Sequence, residues 1–128
     1  MPEQAEPLHG GDLNAAITSA LVGIQTSYPG RGPRSASTVH HNDVIVTLLH
    51  DVMNQAERSL AADDQEDAVT HMRHLLQKTM EADFVKAVER LTGRHVTAFI
   101  SGNNVTPDIA AELFILDTPL LAQTASTT

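Results

Sequence analysis

Ser35-Ala36-Ser37-Thr38-Val39-His40-His41-Asn42-Asp43-Val44-Ile45-Val46-Thr47-Leu48-Leu49 decides the fold. Its first part is rich in Ser, Thr and Val, its last part is a run of aliphatic residues, and Asn42-Asp43 between them is turn material. The stretch therefore reads as two strands joined in a β-hairpin. Side chains alternate along a strand, which sends Val44, Val46 and Leu48 to one face and Ile45 and Leu49 to the other. Both faces are apolar, the pattern of a strand buried on both sides.

Working outward, the residues before the hairpin read as a helix. Leu13, Ile17, Ala20, Leu21, Ile24 and Tyr28 form a helical stripe after Asp12, whose carboxylate suits an N-cap. Pro29-Gly30 ends it. Beyond the hairpin, Asn54-Gln55-Ala56-Glu57 has the form of a capping box and predicts a short helix to about Ala62. Acidic Asp63, Asp64, Glu66 and Asp67 favour the start of a longer helix, where the backbone dipole is positive. Val69, Met72, Leu76, Met80, Phe84, Val88 and Leu91 step by three or four along it, and Gly93 stops it. Arg94 to Ser101 is β-like, Gly102-Asn103-Asn104 is a turn, and Ile109 to Leu116 returns as a strand.

The order is αββααββ, an α+β domain in which antiparallel hairpins form a sheet packed against two to three helices. Residues 1–11 read as a flexible N-terminal arm, 12–117 as a single domain and 118–128 as a flexible tail. Four strands apolar on both faces need two layers of cover, and the chain has helices for about one. A homodimer, in which a second copy covers the remaining face, is the expectation.

Composition narrows the function. The chain has 128 residues, 41% hydrophobic and 19% charged, which suits one domain with one core. Sixteen acidic against eight basic side chains give a net charge of −8, a field that repels nucleic acid and anionic lipid heads. No cysteine is present, so disulfides, thiolate nucleophiles and cysteine-based zinc sites are excluded. Leu13 to Gly30 is uncharged for 18 residues, but Asn14, Thr18, Ser19, Gln25, Thr26 and Ser27 interrupt it, and direct membrane insertion is not expected. The acidic start carries no signal-peptide pattern, which places the chain in the cytoplasm.

Tyr28-Pro29-Gly30-Arg31-Gly32-Pro33, the strand Val44-Ile45-Val46-Thr47-Leu48-Leu49, the short helix Gln55-Ala56-Glu57-Arg58-Ser59-Leu60, Leu91-Thr92-Gly93-Arg94 and the closing Asp108 to Leu116 stretch follow one another in a familiar order. Together they resemble the MpsC-like (YbcI-like) domain family over roughly residues 12 to 117. The family takes its name from a sodium-translocating, membrane-potential-generating system, with membrane partners that resemble inorganic-carbon uptake proteins. The resemblance implies a soluble accessory component and a possible membrane transporter subunit as partner. It brings no catalytic residues with it, and tandem His40-His41 departs from its strand pattern.

Two clusters are candidate sites. Gly30, Arg31, Gly32 and Arg34 could form an anion-binding concavity of backbone N–H groups and guanidinium charge, and Arg94, after another helix-ending glycine, could join it. The plain reading of the same residues is a helix C-cap and a stiff turn. His71 and His74 lie close enough on one helix to share a metal, with Asp67 as a third group, although a solvated surface pair explains them as well. His40 and His41 alternate across a strand and cannot chelate together. No nucleophile elbow, phosphate loop or zinc-protease helix occurs, and no cofactor is implied. The leading reading is a non-enzymatic accessory or regulatory domain acting through protein–protein contacts. A small-anion sensor at the Gly-Arg-Gly-Pro turn is the alternative, and an enzyme with an unrecognised site comes third.

Overall fold

The computed structural model of the chain describes residues 8–28 and 32–120. Its elements run α1 (Gly10–Ser27), β1 (Ser35–His41), β2 (Val44–His50), α2 (Gln55–Ala62), α3 (Glu66–Thr92), β3 (Val96–Asn104) and β4 (Ile109–Leu116). The α+β order expected from the sequence is the order found. All strands are antiparallel in one four-stranded sheet, β1-β2-β4-β3, with the two hairpins meeting at β2 and β4.

The helices lie on one side of this sheet. α1 crosses β1 and packs along α3, which in turn lies over β3. Leu13, Ile17 and Leu21 of α1, Met80, Phe84 and Val88 of α3, and Ile45, Phe114 and Leu116 of the sheet form the main core, all of them buried. Phe99 bridges it, with its ring centroid 5.1 Å from Phe114 and 6.3 Å from Phe84. Leu49, Val52 and Ala110 make a smaller cluster further along the same side.

Three boundaries differ from the sequence reading. α1 starts at Gly10 with His9 in the cap position, and Asp12 sits in its first turn without capping it. There it still favours the positive helix end. β3 runs through Gly102-Asn103-Asn104, because these residues pair with Ala111, Ala110 and Ile109, and the turn falls at 105–108, where the Thr106–Pro107 bond is cis. Leu120, placed by sequence in the tail, packs on the main core and donates its N–H to the Asn42 carbonyl at 2.9 Å. The ends of the long arm and tail, residues 1–7 and 121–128, lie outside the described residues.

Candidate functional site

Strand registry sorts the sheet into two faces. On the side away from the helices, Val39, Val46, Leu113 and Ile100 stand opposite one another across all four strands. The rows beside it are His41, Val44, Ile115 and Ala98 on one side and Ser37, Leu48, Ala111 and Gly102 on the other. No Asp, Glu, Lys or Arg occurs in these rows. Val39 is 63% exposed, Ile100 61% and Leu48 37%, values out of keeping with aliphatic side chains in a finished core. Together they make a contiguous apolar patch on the exposed face of the sheet.

The helix-facing side holds the opposite anomaly. Between the two apolar clusters runs a polar row, Thr38, Thr47, Glu112 and Ser101, again one residue per strand. Thr47 and Glu112 are almost wholly buried. The Thr38 and Thr47 hydroxyls are 2.8 Å apart, and Thr18 of α1 joins them at 2.7 Å from Thr38. Ser101 donates to Glu112 Oε1 at 2.5 Å. Burial pushes the Glu112 carboxyl up to about 7, against the opposing pull of the Ser101 hydrogen bond and the Arg73 charge.

Arg73 and Gln77 of α3 are buried over this row. Arg73 Nε lies 3.4 Å from Glu57 Oε2 of α2, and its NH2 reaches the Val52 carbonyl at 3.5 Å. The geometry between Arg73 Nε and Glu57 Oε2 is too poor for a hydrogen bond, so both atoms lack one. Arg73 thus faces Glu57 directly and also lends its charge to Glu112, but burial outweighs that help and keeps the Glu112 carboxyl reluctant to ionise.

The residues singled out by sequence are spread over the molecule. Gly30 and Arg31 lie outside the described residues. Gly32 sits close against α1, where a Cβ would come within 2.6 Å of Thr26 Oγ1. Arg34 pairs with Asp51 at 2.7 Å and donates its backbone N–H to the His50 carbonyl. Arg94 belongs to the opposite end of the hairpin. Its guanidinium bonds the Pro119 carbonyl, and the next residue, Leu120, is tied to Asn42 in the β1–β2 turn. Seven-residue strands separate the two arginines by roughly 20 Å, so the structure does not bring Arg94 to Arg34.

His71 and His74 are both exposed on α3, and no group of three or more metal-ligating side chains occurs among the described residues. His40 and His41 do point to opposite faces. His40 turns toward the helices, where Nδ1 lies 2.6 Å from Asn14 Oδ1, and His41 lies in the outer rows. His50 is at the far end of the hairpin from both. The sequence reading found Glu57 as a capping residue but not its pairing with Arg73, and it missed Arg73, Gln77 and Glu112, although Glu112 between Ala110 and Phe114, at strand alternation, is a signal that could have been found.

A comparison with protein families matches residues 9–118 to MpsC, described as "Na+-translocating membrane potential-generating system (MpsC)". The chain belongs to the MpsC family. The match runs from the residue capping α1 to just past β4, so the family's domain is the whole helix-backed sheet. No curated protein and no solved structure matches the chain. No helix among the described residues is long and apolar enough to cross a membrane. Of the two unusual regions in this MpsC domain, the outer face is accessible and uncharged, and the inner polar row is enclosed.

Proposed function

We propose that this domain is a non-enzymatic accessory or regulatory component of a Na+-translocating, membrane-potential-generating system, working through protein–protein contacts as a homodimer joined across the outer sheet face. The observation that carries the reading is the row Val39, Val46, Leu113 and Ile100, apolar across all four strands and uncovered. Four strands spaced about 4.8 Å apart and roughly 20 Å long present roughly 400 Å² of projected face. Two such faces in contact cover roughly 800 Å² of projected area, the size of a small interface. A second copy suits the face because it carries no fixed charge to repel itself, whereas the chain as a whole carries −8. The family description supplies the system, and the open face supplies the means of contact.

Two measurements test this reading. Light scattering should give a dimeric mass for the wild type at tens of micromolar and a monomeric mass for Leu113→Glu; a monomeric wild type removes the homodimer. Membrane vesicles from cells lacking the chain should lose Na+-dependent membrane potential and regain it with the wild type but not with Leu113→Glu. Full potential in vesicles without the chain removes the accessory role.

A further inference from the structure

A small cavity lies where the start of α1, the end of β1 and the end of α3 converge, well away from the outer face. Its lining is part apolar, from Leu8, Leu13 and Leu120, and part polar, from His9, His40, Thr92 and Arg94. Its volume is about 130 Å³.

Arg94 is held in place without being neutralised. Its Nε and NH2 reach the Pro119 carbonyl at 3.4 and 3.3 Å, and NH1 reaches the Thr92 carbonyl at 3.3 Å. These contacts use three of about five guanidinium N–H groups. No ion pair among the described residues includes Arg94, in contrast to Arg34, Arg58 and Arg73, which each face a carboxylate. Arg94 thus sets a fixed guanidinium in the lining of a cavity, with no carboxylate partner among the described residues, in a chain of net charge −8.

His40 is the second polar group of the lining. Asn14 Oδ1 can only accept, so His40 Nδ1 carries the proton of that bond, and in the neutral ring Nε2 is an acceptor. Burial, with a smaller contribution from His41, holds the His40 pKa below the ordinary histidine value, so the ring is neutral near pH 7. Arg94 is then the permanent charge of the cavity, which suits a monoanion better than a dianion. The three leucines of the lining suit an alkyl group.

We propose that this cavity binds a small aliphatic monocarboxylate, with the carboxylate on Arg94 and the alkyl end against Leu8, Leu13 and Leu120. This is independent of the contact face and survives if the homodimer does not. The anion reading of the sequence thereby keeps Arg94 and moves to partners that lie far from it in the chain.

The test is an NMR titration of the full chain with butyrate at fixed pH and ionic strength, with butyramide and inorganic phosphate as separate arms. Butyrate should give saturable shifts confined to the amides around His9, His40 and Arg94, and uncharged butyramide should give none. Arg94→Gln should weaken butyrate about tenfold or more, the loss of a charge-assisted contact, while Arg94→Lys keeps part of the affinity and Arg34→Gln keeps all of it. Absence of saturable shifts, equal binding of butyramide, tighter binding of phosphate, or equal loss in Arg94→Lys and Arg94→Gln would each overturn the assignment. Should Arg94→Gln fail to fold, the comparison of butyrate with butyramide on the wild type still decides it.

Discussion

Glu112 occupies a position that strand alternation gives to an apolar residue, between inward-facing Ala110 and Phe114. Its carboxyl is raised from 4.5 to about 7 by burial, and this fixes the sign of a pH effect. The folded state holds a proton there that the unfolded state has released between these two values, so this group's contribution to stability is full below about pH 4.5. It falls as the pH rises toward 7, and above that the ionised carboxylate is a constant cost. Glu112→Gln keeps an acceptor for Ser101 and removes the titration. The variant should match the wild type at acid pH and exceed it by roughly 3 kcal/mol at pH 8. Urea unfolding of both proteins at the two pH values checks this, and a difference that does not change with pH refutes it. Arg73 is the counterpart on α3. Arg73→Ala leaves Glu57 and Glu112 without their shared cation and should destabilise by about 3–5 kcal/mol, read by the same unfolding curves. These residues explain where the sequence reading of α3 went astray. Its apolar stripe includes Met72, which is 41% exposed, because the first half of the helix turns Arg73 and Gln77 inward to meet the polar row. Hydrophobic spacing cannot reveal a buried face that is polar.

Helices and strands were more legible than the side chains that join them, because their ends are marked by local chemistry. α2 begins and ends where its sequence says. Asn54 accepts the Glu57 N–H at 2.8 Å and Glu57 returns a carboxylate to the Asn54 N–H at 2.9 Å, a complete capping box. Asn54→Ala should therefore cost about 1 kcal/mol in an unfolding experiment. An unchanged midpoint would mean that Glu57 is held by Arg73 alone. α3 ends as expected at Gly93, whose φ of 70° lies in the left-handed region, and its N–H closes on the Glu89 carbonyl at 2.9 Å. The end of β3 was illegible for a related reason. Gly102-Asn103-Asn104 has the composition of a turn, and only its pairing with β4 makes it a strand, a tertiary effect that overrides local preference.

At the scale of the whole molecule, the double-sided apolar pattern of β2 is what the fold leaves unresolved within one chain. Ile45 and Leu49 are fully buried beneath the helices, while Leu48 on the other side is 37% exposed. The sequence shows that both faces are apolar, but it does not show which ends of distant elements meet. Arg34 and Arg94 therefore read as possible neighbours and lie at opposite ends of a hairpin. The uncovered face also sets the salt dependence of any contact made through it. Two copies brought together each carry a net charge of −8, and their repulsion acts between charges outside the apolar rows. Raising salt from about 20 mM to about 500 mM shortens the screening length from roughly 20 Å to roughly 4 Å and weakens that repulsion, with little effect on the burial of uncharged side chains. Dimer dissociation, measured by sedimentation equilibrium, should thus become tighter as salt increases. Loosening with salt would mean that opposite charges hold the copies together, and would move the contact away from the face of Val39, Val46, Leu113 and Ile100.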